Sequence, residues 1–71
     1  MSLTIEFGLE VRSVRKTLNI SQEQLAYMAG VNRSHMGQIE RGQKSPSLLT
    51  IERIAKALNC SPSLLVSNKE D

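Results

Sequence analysis

The stretch between residues 22 and 41, QEQLAYMAGVNRSHMGQIER, decides how the chain folds. Apolar residues at helical spacing mark one inward face in each half: Leu25, Ala26 and Ala29, followed by Met36 and Ile39. Gly30 lies between the two halves and can take the positive φ that a tight turn needs and that a Cβ atom penalises. Two short amphipathic helices joined by such a turn form a helix-turn-helix, although an αα-hairpin in any small bundle has the same apolar spacing.

The outer face of the second helix carries side chains that can read DNA bases. The candidates for base contacts are Arg33, Ser34, His35 and Gln38. A recognition helix enters the major groove with its N-terminal residues against the base edges. There Arg33 can donate to guanine O6 and N7, and Gln38 can pair with adenine N6 and N7. For each residue the alternative is a solvated surface side chain, and for His35 the two interpretations are evenly balanced.

Polar groups near the helix ends are the candidates for phosphate contacts, because helix N-termini and neighbouring polar side chains favour anions. These candidates are Gln22, Asn32, Arg41, Lys44 and Ser47. Eight basic and three acidic residues lie between positions 12 and 56, whereas the whole chain has a net charge of +2. A basic centre suits a polyanionic partner, and an ordinary solvated surface explains the same distribution equally well.

Outside this motif the sequence pattern predicts three more helices and no strand. Apolar stripes and stop signals place these helices at Ile5–Leu18, Leu48–Leu58 and Pro62–Val66. Ser21 and Asn32 are the expected N-caps of helices two and three, the first in a capping box with Gln24. The prediction is an all-α fold of five short helices whose core, apart from Phe7 and Tyr27, is aliphatic.

Size and composition indicate a single domain over residues 1–71, with its core at about 5–66 and a frayed tail at 67–71. No apolar run reaches the roughly 18 residues of a membrane-spanning helix, and the N-terminus lacks the layout of a secretory signal. The lone cysteine, Cys60, cannot form an internal disulfide and is expected to be a small buried hydrophobe. Together these features point to the reducing cytoplasm.

Catalytic and metal-binding functions lack the residues that they need. The chain has one histidine and one cysteine, and no HExxH, glycine-rich phosphate loop or CxxC motif. His35 has no companion ligands at zinc spacing. We therefore expect no enzyme, metal or cofactor. The chain is also too short for a separate ligand-binding domain, so no small-molecule ligand is expected.

Arg15 and Glu40 are the expected structural ion pair. Arg15 lies beside the apolar stripe of helix one, and Glu40 follows the last apolar residue of helix three. If these helices touch, the two side chains form a partly buried bidentate pair. The alternative is that both face water.

Two glycines interrupt predicted helices, where glycine costs about 1 kcal/mol relative to alanine. Gly8 is expected to weaken the first turn of helix one. Gly37 lies within helix three, where a side chain would collide with a DNA backbone. The competing explanation is close packing or plain tolerance of a glycine. The sequence does not separate these two explanations for Gly37.

The segment SQEQLAYMAGVNRSHMGQIERG, followed by PSLLTIERIAKALNCSPSLL, resembles the Cro and phage-repressor (XRE-like) helix-turn-helix domains. Within that family it is most similar to the controller proteins of restriction–modification systems. The resemblance covers about residues 11–66, and the IERG ending at Gly42 is specific for the family. It implies a compact lambda-repressor-like fold of five helices, with DNA contacts from Gln22 and the Arg33–Gln38 face. It also implies an ion pair between helices one and three at Arg15–Glu40.

Members of this family usually bind inverted DNA repeats as two-fold dimers. Apolar residues in excess of what so small a core must bury predict the dimer interface: Leu49, Leu64, Leu65 and Val66. The expected function is that of a sequence-specific DNA-binding transcriptional regulator, either a controller or a phage-type repressor. Its expected partners are double-stranded DNA and a second copy of the chain. The alternatives are a protein-interaction module and an antitoxin with the same fold.

Overall fold

The computed structural model describes residues 2–66, which form five helices joined by short turns. They are α1 (Leu3–Thr17), α2 (Gln22–Ala29), α3 (Arg33–Glu40), α4 (Leu48–Ala57) and α5 (Pro62–Val66). No strand occurs in this range, as the sequence predicted. The helices between residues 2 and 66 lack the length and apolar character that crossing a bilayer requires. The predicted frayed tail lies outside the described residues.

Side-chain caps start the helices where short polar residues precede them. The Ser2 hydroxyl oxygen accepts a hydrogen bond from a first-turn amide, so α1 begins earlier than predicted. Ser21 Oγ accepts from the Gln24 amide at 3.0 Å and Gln24 Oε1 accepts from the Ser21 amide at 2.7 Å, which completes the predicted capping box. Asn32 Oδ1 accepts from two amides in the first turn of α3. Gly30 ends α2 at a φ of 69°, in the left-handed region that favours glycine.

One hydrophobic core joins all five helices. Its buried side chains are Phe7, Val11, Leu25, Ala26, Ala29, Met36, Ile39, Ile54, Ala55, Leu58 and Leu65. α1 packs across α3 and α5, whereas α2 packs against α3 and α4. The prediction that Tyr27 belongs to the core is wrong, because α2 turns its leucine and alanines inward and leaves Tyr27 88% exposed. Leu18, the predicted last residue of helix one, is also exposed and forms the C-cap of α1.

The contact between α1 and the C-terminal end of α3 depends on Gly8. A Cβ atom at this position would collide with the backbone oxygen of Ile39 and would lie 2.8 Å from the backbone oxygen of Glu40. The sequence predicted a weakened first turn, but α1 is continuous through Gly8, which is buried at this crossing. The absence of a side chain at Gly8 therefore allows the backbone of α3 to lie this close to α1.

Candidate nucleic-acid interface

α3 has one side in the core and one side facing outward. Met36 and Ile39 are fully buried, whereas Arg33 and Ser34 are exposed at the N-terminal end of the helix. This is the orientation that the apolar spacing predicted. The Asn32 cap and the core contacts fix both the start and the rotation of α3, so its outer side chains project from a rigid element.

Six residues line a shallow polar depression on the outer side of α2 and α3, which we call the α2–α3 polar face: Gln22, Arg33, Ser34, Gly37, Gln38 and Arg41. The polar face contains three of the four predicted base contacts and two of the predicted phosphate contacts. His35 is half-buried and does not line it. Both ionisable side chains of the polar face are arginines, which suits an anionic partner with planar hydrogen-bonding groups.

Gly37 lies in the polar face, and its missing side chain leaves room for two neighbours. A Cβ atom there would lie 3.0 Å from Arg41 Nη1 and 3.3 Å from Gln22 Oε1. Both separations are tighter than ordinary van der Waals contact, so a larger residue would displace these side chains. Of the two explanations for a glycine inside helix three, this arrangement supports close packing. Gly37 allows Gln22 and Arg41 to converge over α3.

The predicted ion pair between α1 and α3 is present. Arg15 Nε and Nη2 donate to Glu40 Oε2 and Oε1 at 2.8 and 3.0 Å. The side chains of Arg15 and Glu40 are only 11% and 3% exposed. Arg15 Nη1 also donates to the backbone oxygen of Ile20 at 3.0 Å, so the guanidinium is bonded at both of its ends. Charge-assisted hydrogen bonds of this kind, removed from water, link α1 firmly to α3.

Gln22 connects the buried ion pair to the polar face. Its Nε2 donates to Glu40 Oε1 at 3.1 Å, and its Oε1 points toward the space above Gly37. The sequence predicts only a phosphate contact for Gln22. This hydrogen bond was not predicted, because the apolar pattern of α2 gives no sign that Gln22 reaches across to α3. The bond fixes the amide and leaves one N–H of Gln22 for a further acceptor.

Arg33 also has a partner that was not predicted. Arg33 Nη1 donates to Glu23 Oε2 at 2.8 Å, between the first turns of α3 and α2. The Arg33 and Glu23 side chains are 70% and 71% exposed, so this second ion pair is accessible to solvent. Glu23 lies in the first turn of α2, where its charge also suits the positive end of the helix dipole.

The remaining phosphate candidates lie outside the polar face. Asn32 and Ser47 use their side-chain oxygens to cap α3 and α4; Ser47 Oγ accepts from the Thr50 amide at 3.1 Å. Lys44 is exposed in the loop between α3 and α4. The Asn32 cap does not use the side-chain amide N–H groups, which stay compatible with the predicted phosphate contact. The Ser47 hydroxyl donates its one proton to Thr50 Oγ1 at 3.0 Å, so a phosphate contact from Ser47 would have to replace that bond.

A family model for helix-turn-helix domains, HTH_3, matches residues 11–65 and therefore spans α2, the turn, α3 and α4 completely. The chain belongs to the HTH_3 helix-turn-helix family. Its resemblance to restriction–modification controllers is also confirmed. The control protein C.SmaI of Serratia marcescens is 48% identical over 56 residues, which are 78% of this chain and 67% of C.SmaI.

Solved structures of HTH_3-like proteins have the same five-helix architecture. The restriction–modification controller protein C.AhdI from Aeromonas hydrophila superposes with a TM-score of 0.85 at 40% identity, covering 87% of this chain and 94% of C.AhdI. The P22 c2 repressor, solved in complex with a synthetic operator, superposes with a TM-score of 0.80 at 36% identity. That match covers 86% of this chain and 92% of the repressor. The predicted lambda-repressor-like fold is therefore confirmed.

This HTH_3 chain exposes three of the four residues predicted to form a dimer interface. Leu49, Leu64 and Val66 are exposed on α4 and α5. The placement of Leu65 on that surface is wrong, because Leu65 is 1% exposed and belongs to the core of the monomer. α5 is a single short helix that directs Leu65 inward and its two neighbours outward, so adjacent apolar residues have different roles.

Cys60 packs at the edge of the core of this HTH_3 domain, between α4 and α5. Burial raises the pKa of the Cys60 thiol above its ordinary value, because a low-dielectric environment disfavours the thiolate. Residues 2–66 contain no group of three or more histidine, cysteine, aspartate or glutamate side chains placed to hold a metal ion.

Proposed function

We infer that this protein is a DNA-binding transcriptional regulator and propose that α3 reads bases in the major groove. The observation that carries this proposal is the orientation of α3. Its apolar side is held in the core by Met36 and Ile39, while Arg33 and Ser34 are presented to the exterior. Relatives that include control proteins and a repressor support the same function.

In this proposal the contacts divide into base readout and phosphate positioning. Arg33 donates to guanine O6 and N7, and Gln38 pairs with adenine N6 and N7. Ser34, which has a short side chain, contacts a base beside them. His35 contacts DNA from the rim of the polar face. Phosphates are bound by Gln22, Asn32, Arg41, Lys44 and Ser47. These contacts fix the register of the protein on the duplex and carry no base preference themselves.

The protein is further proposed to bind an inverted repeat as a homodimer. Leu49, Leu64 and Val66 form the apolar contact between the two copies, since exposed apolar side chains on neighbouring helices suit a self-complementary patch. A two-fold dimer would place two α3 helices about 34 Å apart, one turn of DNA. We favour a restriction–modification controller, because C.SmaI and C.AhdI are similar over most of the chain. We place this activity in the cytoplasm and expect no catalysis.

A selection from random duplexes tests this function. The protein should enrich one palindromic motif, and its affinity should fall steeply as salt rises, because binding releases counterions from DNA. Lys44→Ala should weaken binding to all duplexes and lower the salt slope by about one unit. Lys56→Ala removes an exposed lysine from α4, outside the polar face, and serves as the matched control. Binding without an enriched motif would contradict the proposal.

A further inference from the structure

We propose that Glu23 is a positioning residue for base recognition. It holds the Arg33 guanidinium so that one complete edge faces a guanine in the major groove. This inference rests on the proposed function, in which α3 enters that groove. It concerns the hydrogen bond from Arg33 Nη1 to Glu23 Oε2, at 2.8 Å, which joins the N-terminal turns of α2 and α3.

The two arginine ion pairs of the fold use different parts of the guanidinium. Arg15 donates through Nε and Nη2 and so uses its side edge for a bidentate contact with Glu40. Among residues 2–66, Arg33 donates to Glu23 through Nη1 only, and no partner in that range occupies its Nε–Nη2 edge. The free edge carries the two parallel N–H donors that match guanine O6 and N7. The Glu23 bond is therefore compatible with base reading and restrains the group that performs it.

Glu23 is itself held in place by the start of α2. The neighbouring Ser21–Gln24 capping box closes the first turn with reciprocal hydrogen bonds of 3.0 and 2.7 Å. Glu23 therefore projects from a fixed backbone. An unrestrained arginine side chain populates many rotamers, and losing them when DNA binds lowers the affinity. A carboxylate at this place limits those rotamers before DNA arrives.

Stability alone does not account for an acidic residue beside the polar face. The Arg33 and Glu23 side chains are 70% and 71% exposed, and ion pairs so accessible to water contribute little to folding. A negative charge near DNA phosphates also weakens binding to every sequence. We infer that Glu23 lowers general affinity for DNA and raises the preference for the correct base pair.

The test compares Glu23→Ala, Glu23→Gln, Arg33→Ala and the Glu23→Ala/Arg33→Ala double variant in the full chain. Dissociation constants are measured for the selected duplex, for the same duplex with the guanine pair replaced, and for random duplex. Circular dichroism melting checks that each variant is folded. Glu23→Ala should lower the preference for guanine by about two- to tenfold, the range expected when one long side chain loses its restraint. Its affinity for random duplex should rise. Glu23→Gln, which keeps an acceptor oxygen, should retain more of the preference than Glu23→Ala.

The double variant distinguishes positioning of Arg33 by Glu23 from simple repulsion between the Glu23 charge and DNA phosphates. If Glu23 acts through Arg33, Glu23→Ala should not change base preference once Arg33 is alanine. Equal gains in affinity of Glu23→Ala for selected and random duplexes would show simple repulsion of phosphates and overturn the inference. If Arg33→Ala lowers the preference and Glu23→Ala does not, only the role of Glu23 is overturned. If Arg33→Ala leaves the preference unchanged, the proposed reading face fails and this inference fails with it.

Discussion

Replacing Arg15 with alanine should destabilise the fold strongly, although Arg15 lies outside the hydrophobic core cluster. The substitution removes two hydrogen bonds of 2.8 and 3.0 Å from a Glu40 carboxylate that is only 3% exposed. Within the described part of the chain, the 3.1 Å hydrogen bond from Gln22 Nε2 is then the only one left to that carboxylate. Leaving a buried charge without its partner costs about 3–5 kcal/mol.

That cost is large for a domain of this size. Each kcal/mol shifts the melting temperature of a small domain by about 4–8 °C, so Arg15→Ala should lower it by more than about 12 °C. Urea unfolding followed by far-UV circular dichroism gives the free energy directly. The double variant Arg15→Met/Glu40→Leu removes both charges and keeps most of the volume. It should be nearly as stable as the wild type, or more stable, because no buried charge is left unpaired.

A small and additive effect on stability would contradict the coupling of Arg15 and Glu40. If Arg15→Ala cost less than about 1 kcal/mol, and if the Arg15→Met and Glu40→Leu costs simply summed in the double variant, the two side chains would not be coupled. The pair would then behave as an exposed one, in contradiction to its burial in the structure.

Three further predictions concern packing, assembly and thiol chemistry. Gly8→Ala should cost about 1–3 kcal/mol in urea unfolding, because its Cβ would meet the backbone of α3; unchanged stability would contradict the close helix contact. Leu64→Lys should weaken self-association in sedimentation equilibrium and leave monomer folding intact. Leu65→Ala should instead lower the free energy of unfolding by about 2–5 kcal/mol. Equal effects of the two substitutions on self-association and stability would contradict their separate roles. Cys60 should react with iodoacetamide more slowly than free cysteine at mildly alkaline pH, since burial raises its pKa. This difference should shrink as the pH rises above both pKa values, and equal rates at mildly alkaline pH would argue against burial.

The sequence predicted the fold well because its local signals agree with one another. Caps at Ser21 and Asn32, the turn at Gly30 and the apolar spacing of α2 and α3 all specify the same helix-turn-helix. These signals act within a few residues of one another, so they can be recognised without knowing the tertiary structure. The Arg15–Glu40 pair was also predicted, since each residue adjoins the apolar stripe of its own helix.

Other contacts between helices were not predicted, because the apolar stripes give no sign of them. The bond from Gln22 to Glu40 and the bond from Arg33 to Glu23 each join residues on different helices. Gly8 illustrates the same difficulty, because its importance comes from the backbone of α3 passing close to α1.

Two residues on short helices were placed wrongly. The sequence predicts Leu65 in an exposed patch because the chain has more apolar residues than so small a core must bury, and three consecutive apolar residues do not define an inward face. It predicts Tyr27 in the core, but the inward face of α2 is already filled by smaller side chains. In both cases the rotation of a helix decided burial, and a helix of five to eight residues gives little periodicity from which to read it.

Base recognition of the proposed kind requires Arg33 to face the major groove from the outer side of α3. The most direct test replaces each guanine of the selected half-site in turn with 7-deazaguanine, which lacks the N7 acceptor, and measures the dissociation constant. At one position the substitution should weaken wild-type binding by about fivefold or more and leave Arg33→Ala binding unchanged. Equal wild-type affinity for every substituted duplex would contradict the assignment of Arg33 to a guanine in that groove.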